Sequence, residues 1–256
     1  MTKPKIVSEK EWLEARKSLL AKEKNLTRLH DQLAAERRQL PWMRVEKNYT
    51  FDAPHGKVSL ADLFGPHSQL FVYHFMFGPD WKEGCPSCSY VCDHLNGAVP
   101  HLAARDVSLV MVSRAPLPKI EAFKKRLGWR FPWVSSHSND FNHDYGVYFP
   151  TQEKAHGNVN YNYKMQEFPS DEAPGASIFY KDKDGKIFHT YSTYGRGLDQ
   201  FVTTYTLLDL VPKGRDEDNL PFDMAWVRHH DRYDTGELAD KDRPYWPKFE
   251  ATKTTR

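Results

Sequence analysis

Cysteine is scarce in this chain, with three residues among 256. That is too few for the disulfide scaffold of a small secreted domain. Long apolar runs are missing as well, and none approaches the roughly 18 residues that a membrane-spanning helix needs. The stretch from Met1 to Lys10 contains no apolar segment of the secretory kind. Neither sign of charge dominates, since 36 basic residues stand against 34 acidic ones for a net +2. Such a balance gives no general attraction to nucleic acid or to an anionic membrane. These absences predict a cytoplasmic protein with neither nucleic acid nor membrane as partner. Apolar material is plentiful by contrast: 39% of residues are hydrophobic and 14% aromatic, enough for an ordinary core.

The pattern along the chain divides it into three parts. Residues 8 to about 39 read as one long helix, opened by a capping box at Ser8 and Glu11 and stopped by Pro41. Trp12, Leu19, Leu26, Leu33 and Leu40 recur every seven residues, an apolar stripe on a charged rod. Such a stripe lies along its own domain or forms a homodimer contact. After residue 42, strands and helices alternate. Residues 69–77 and 107–112 are apolar enough to be strands covered on both faces. Residues 88–104 predict a helix that Pro100 kinks or ends, residues 119–127 a short helix, and residues 132–135 a third strand. Residues 138–173 lack any sustained period and read as a long functional loop or insertion. The runs 176–180 and 187–191 flank Lys183-Asp184-Gly185, a hairpin signal. His189, Tyr191 and Tyr194 are expected on one face of its second strand. Residues 199–210 predict a last helix, and the charged residues 213–219 a linker. The tail beyond holds Trp226, Arg228-His229-His230-Asp231 and the pair Tyr245-Trp246.

Chemistry concentrates at Cys85-Pro86-Ser87-Cys88, directly after the apolar run Leu70 to Phe77. A cysteine at a helix start faces unpaired amides and the positive end of the helix dipole, and both favour thiolate. Pro86 suits a first helical turn, where its missing N–H costs little. In a C-x-x-C pair the first cysteine is expected to be the more exposed and to attack, and the second to resolve the mixed disulfide. Cys85 is therefore the expected nucleophile and Cys88 the resolving thiol. Cys92, four residues on, falls on the same helix face. Cys85, Cys88 and Cys92, with a histidine from elsewhere, define an alternative as a zinc or copper site, although His94 points away from Cys92. The peroxidase pattern Pro-x-x-x-Thr-x-x-Cys fits neither frame: counting back from Cys85 gives Gly78 and Lys82, and from Cys92 gives Cys85 and Ser89.

In thioredoxin-like folds a cis-proline precedes the strand that faces the dithiol. Pro174, just before the 176–180 strand, is expected to be that residue and to contact substrate. Trp81 is expected to shield the thiols. His143 and Asp144, in the long loop, are candidates for lining the pocket, and either His229 or His230 for moving a proton.

Leu40-Pro41-Trp42, Phe75-Met76-Phe77-Gly78-Pro79, Gly84-Cys85-Pro86-Ser87-Cys88-Ser89, Gly128-Trp129, Phe141-Asn142, Asp144-Tyr145-Gly146-Val147, His189-Thr190-Tyr191-Ser192-Thr193-Tyr194, Arg196-Gly197-Leu198-Asp199 and Trp226-Val227-Arg228-His229-His230-Asp231 carry a further resemblance. By these the chain resembles the DUF899 family of thioredoxin-like bacterial proteins over nearly its whole length. The resemblance implies an α/β, thioredoxin-like fold with a long N-terminal helix and a C-terminal extension, and supplies no substrate. The expected division is a helical arm over 1–41, the thioredoxin-like domain over 42–212 and the extension over 213–256. The expected activity is thiol–disulfide exchange without a bound cofactor. Electrons would pass from a cellular dithiol to a small-molecule or protein disulfide. The alternatives are the metal site and a non-catalytic binding module.

Overall fold

A computed structural model describes residues 4–235 and divides the chain into two compact units, Met1–Trp42 and Met43–Arg256. Tyr245-Trp246 lie outside the described residues. The first unit is the helix α1 (Glu9–Arg37). Its capping box is formed: the Ser8 hydroxyl accepts from the Glu11 amide, and the Glu11 carboxylate accepts from the Ser8 amide. Its apolar residues, including Trp12, Leu19, Leu26 and Leu33, are exposed, and no residue of α1 is buried.

The second unit is built on a mixed sheet. β1 (Met43–Arg44), β2 (Thr50–Ala53) and β3 (Gly56–Ser59) precede the central strand β4 (Gln69–His74). The chain then forms α2 (Pro86–Asn96) and α3 (Val99–Ala103), and returns as β5 (Val107–Ser113). Pro100 sits in the first turn of α3, so the expected single helix is two. α4 (Leu117–Arg126) leads to β6 (Trp133–Ser135). After the insertion described below come β9 (Gly175–Lys181) and β10 (Ile187–Tyr194). The sheet order is β1-β10-β9-β4-β5-β6-β2-β3. β4 is parallel to β5 and antiparallel to β9, and β10 is antiparallel to β9. A βαβ unit joined to a β-hairpin in the order β5-β4-β9-β10, with the C-x-x-C motif after β4, is a thioredoxin-like fold.

Alternation along the central strands fills both faces. Leu70 and Val72 of β4, with Val110 and Val112 of β5, pack against Phe51, Phe64, Phe141 and Phe179. Tyr73, Leu109 and Met111 join Phe75, Phe77, Phe123, Trp129 and Trp133 on the other side, the side that contains all three cysteines. Burial of this kind supplies about 25 cal/mol per Å² of apolar area and is the main source of stability.

Several expectations change in the structure. Of the two expectations for residues 138–173, loop or insertion, the structure shows an insertion with elements of its own. These residues contain α5 (Phe141–Asp144), α6 (Thr151–Lys154) and the hairpin of β7 (Val159–Tyr161) with β8 (Lys164–Gln166). Their apolar residues Val147, Phe149, Val159 and Tyr161 close a third cluster with Ala173 and Tyr194. Elements of three or four residues are too short to leave a period. The expected helix at 199–210 is a 3-10 segment over Gly195–Phe201 followed by α7 (Thr203–Leu208). A bulge in β10 pairs His189 with Phe179 but Tyr191 with Ile178, which moves Tyr191 to the opposite face from His189. His189 instead shares its face with Ser192, whose hydroxyl lies 2.7 Å from His189 Nε2.

Candidate functional site

The dithiol sits where β4 ends and α2 begins. After His74 the chain leaves the sheet through Phe75, Met76 and Phe77, and the loop 78–84 returns it. Gly78 is required there, because a Cβ would stand 2.8 Å from Nε1 of Trp81. Gly84 is required too, since its Cβ would meet rings of Phe75 and Phe123 at 2.6–2.9 Å. Cys85 then occupies the N-cap of α2 with Pro86 in the first turn. Its amide donates to the Met76 carbonyl at 3.0 Å, and its carbonyl accepts from the amide and hydroxyl of Ser89, both at 2.9 Å.

All three cysteines are free and buried. Burial alone pushes the Cys85 thiol up. The Cys88 thiol and the amides of Cys88 and Ser87 donate to its sulfur and outweigh burial, so the net shift is downward. Cys88 is pushed well up, first by burial, then by its hydrogen bond with Cys85 and the charge interaction with that sulfur. The Tyr73 hydroxyl and the Met76 amide donate to the Cys88 sulfur, the latter at 3.4 Å. The surroundings thus favour the charged form at Cys85 and the protonated form at Cys88.

The expected greater exposure of Cys85 is not found. Cys85 is 0% and Cys88 1% exposed. A cavity of about 210 Å³ is lined by Cys88 and Ser87 but not by Cys85. Tyr73, Met76, Val91, Phe168, Leu198 and Met224 form its apolar walls. Its remaining lining includes Pro174, Tyr161 and the charged residues Arg196, Asp199, Arg215 and Glu217. Pro174 therefore reaches the cavity, but its preceding peptide bond is trans, not cis. Tyr161 braces that corner: its hydroxyl donates to the Pro174 carbonyl at 2.8 Å and accepts from the Gly195 amide at 2.9 Å.

The other candidate residues disperse. Trp81 is buried in the core cluster with Cys85 and Cys88 and does not line the cavity. His143 is on the surface of α5, with Nε2 2.7 Å from Glu153. Asp144 accepts from Lys47 at 2.6 Å and from the Tyr49 hydroxyl at 2.7 Å, and lines a separate cavity of about 430 Å³. Neither lines the dithiol cavity. His230 sits outside, with Nδ1 2.7 Å from Asp93. His229 is buried beside the motif but faces backbone rather than sulfur. Its Nε2 donates to the Gly84 carbonyl at 2.9 Å, and its Nδ1 accepts from Arg126 at 2.7 Å. Burial lowers its pKa to about 4, so it is neutral at physiological pH. Around it Glu83 accepts from Arg126, and from Arg232 at 2.7 and 2.8 Å. This clamp fixes the residue before Cys85.

The metal alternative loses its ligands. Among the described residues no three His, Cys, Asp or Glu side chains converge to hold a metal ion, so Cys85, Cys88 and Cys92 do not form one. Cys92 is packed in the apolar core and its thiol is pushed well up by burial. His94 is committed to Tyr90 and Thr204.

The residues missed in the sequence are those of the cavity rim. Residues 213–219, expected to be a solvated linker, carry two of them. Arg215 pairs with Asp209 at 2.9 Å and Asp199 at 3.3 Å and stacks on the Tyr205 ring. Glu217 accepts from the Tyr205 hydroxyl at 3.0 Å, the Met224 amide at 3.0 Å and Trp226 Nε1 at 2.6 Å. The aromatic residue at 226, close after a charged run, was the one available signal that the segment packs.

Residues 1–233 match the family described as "Bacterial protein of unknown function (DUF899)". No curated protein matches. Solved structures similar in chain trace include a cysteine-to-serine mutant of peroxiredoxin Q from Xanthomonas campestris, at 15% identity and TM-score 0.42 over 62% of this chain and 90% of that one. Peroxidoxin BcpB from Mycobacterium tuberculosis is 15% identical with TM-score 0.44, over 64% of this chain and 95% of its own. A cysteine mutant of PrxQ from Xylella fastidiosa is 11% identical with TM-score 0.40, over 65% and 94%. These are similarities of chain trace and carry nothing about chemistry. Among the described residues, no helix is long and apolar enough to cross a membrane.

Proposed function

Because the chain belongs to the DUF899 family, which has no assigned activity, its chemistry must come from its own residues, and we propose that it is a thiol–disulfide oxidoreductase working through Cys85 and Cys88. The observation that carries this reading is the environment of Cys85. It is a buried sulfur at a helix N-cap, yet the thiol and amide donors around it outweigh burial and favour its thiolate. A packing cysteine needs none of these donors, and Cys92 has none of them.

The cycle moves two electrons. The dithiol gives them to a disulfide, R–S–S–R, releasing two R–SH and leaving a Cys85–Cys88 bond. A cellular dithiol then restores the pair, its own sulfurs becoming the new disulfide. No bound cofactor is needed, because both couples are sulfur. A site that must be found reduced belongs in the cytoplasm. Cys85 is the nucleophile of this reading because its surroundings favour thiolate, and since the cavity is lined by Cys88 and not by Cys85, local opening brings the disulfide to it. Pro174 and Tyr161 frame the substrate, and His229 is a positioning residue acting through Gly84.

The test is alkylation of the reduced protein as a function of pH, together with turnover of a model disulfide. One thiol is expected to titrate well below the free-cysteine value of roughly 8.5. Cys85→Ser is expected to remove that titration and abolish turnover while the circular dichroism spectrum is unchanged. Turnover like the wild type in Cys85→Ser overturns the proposal.

A further inference from the structure

The stabilised thiolate and the access belong to different sulfurs. Cys85 has the donors that favour its thiolate, whereas the cavity is lined by Cys88 and Ser87 and not by Cys85. In thiol–disulfide exchange the attacked sulfur must be reachable, and the leaving sulfur leaves faster the more stable its thiolate. Once the pair is oxidised, an incoming thiolate in the cavity meets Cys88. The group expelled is then Cys85, whose thiolate the amides of Ser87 and Cys88 already favour. The arrangement therefore suits the half-reaction in which the protein receives electrons.

The walls define what brings them. Both sulfurs are buried, so the edge of another protein cannot lie against them. The cavity, at about 210 Å³, is somewhat larger than the engineered 150 Å³ cavity that holds benzene. Of the charged rim residues, Arg196, Asp199, Arg215 and Glu217 are engaged with one another or with the chain, while Asp223 is exposed. Arg196 pairs with Asp199 at 3.1 Å, Arg215 with Asp199 and Asp209, and Glu217 takes three donors. A carboxylate brought in with the donor would lose its water among Met76, Val91, Leu198 and Met224, at a cost of several kcal/mol if unpaired.

Building on the thiol–disulfide reading above, we infer that the electron donor is a small uncharged aliphatic dithiol, which enters the cavity and forms its mixed disulfide with Cys88. One thiolate of the donor attacks Cys88 Sγ, an S–S bond forms between them, and Cys85 departs as thiolate with the electron pair of the old bond. The donor's second thiol then loses its proton and attacks the donor sulfur of the mixed disulfide. The Cys88 thiolate it expels takes up that proton. The donor leaves as a cyclic disulfide, two electrons having passed to the protein. A monothiol lacks the intramolecular second step and needs a second molecule in the cavity, and a protein dithiol cannot make the first.

The experiment uses the full chain, oxidised so that Cys85 and Cys88 are joined, and follows return of the dithiol by intrinsic tryptophan fluorescence and mass. Dihydrolipoamide, dithiothreitol, glutathione and a reduced thioredoxin are the probes. The two small neutral dithiols are expected to react at least about a hundredfold faster than the charged tripeptide or the protein, consistent with the desolvation cost of a buried charge. With the Cys85→Ser protein, a small activated aliphatic disulfide is expected to give a stable adduct on Cys88, located by peptide mass. Reduction by thioredoxin or glutathione at rates equal to the small dithiols overturns this inference and leaves the proposed function standing. An adduct that forms on Cys85 in Cys88→Ser but not on Cys88 in Cys85→Ser also overturns it. A pair that no thiol reduces, or that reduces an organic hydroperoxide but no disulfide, overturns the proposed function itself.

Discussion

His229 illustrates what a single side chain does at this site. Its ring is neutral because burial lowers its pKa to about 4 from an ordinary 6.5. In that state it has one donor and one acceptor, and it spends them on Gly84 and Arg126. The sign of its contribution to stability follows. The unfolded chain binds a proton below 6.5 that the folded chain refuses until about 4, so stability is fully present above 6.5 and is lost as pH falls through that window. By linkage the loss reaches about 3 kcal/mol. His229→Gln keeps both hydrogen-bond functions and cannot titrate. Urea melts from pH 7 to pH 4 are expected to fall less steeply for the variant than for the wild type, and parallel curves would show that His229 is not the group responsible. The sequence offered His229 and His230 as equivalents. They are adjacent, yet one is buried at the motif and the other exposed at Asp93. Adjacent residues in an irregular segment follow no period, so only packing separates them.

At the scale of elements, α2 and the loop before it form one device. Proline in the first turn and a cysteine N-cap follow from local rules, and both were legible at Cys85-Pro86-Ser87-Cys88. The reason for Gly84 was not legible. Its φ is not left-handed, and what requires it is the approach of Phe75 and Phe123 from elsewhere in the core. Gly84→Ala is therefore expected to cost about 1–3 kcal/mol by overpacking, read in urea melts. It is also expected to raise the pH midpoint for Cys85 alkylation, because the N-cap amides are displaced. A variant with unchanged stability would mean that the rings move aside freely. The strands β4 and β5 were readable for the same local reason, as apolar runs covered on both faces. The bulge in β10 was not, because an extra residue at Thr190 leaves no mark on composition and moves Tyr191 to the other face.

At the scale of the molecule, the cavity is a product of distance along the chain. Its walls come from β4, α2, the 138–173 insertion, the 3-10 segment at 195–201 and the segment 215–224. That last segment is held by Arg215 against Asp209, Asp199 and the Tyr205 ring. Partly exposed pairs and a cation–π contact together are worth about 1–2 kcal/mol. Arg215→Ala is expected to raise the rate of alkylation of the thiols by a bulky charged maleimide about tenfold through local opening. Iodoacetamide is expected to react at a nearly unchanged rate. Equal effects on both reagents would mean that Arg215 does not control access. The sequence by itself determined the elements whose cause is local: the capped α1, the buried central strands, the hairpin around Gly185 and the placement of a dithiol where a strand meets a helix. Helix caps, turns and burial of alternate residues act over a few positions, so their residues announce them. The tertiary structure alone decided which sulfur the cavity reaches, which histidine is buried, that Cys92 is core rather than ligand, and that a charged run at 213–219 completes a pocket. Each of these depends on residues separated by tens of positions meeting in space, and no local pattern encodes such a meeting.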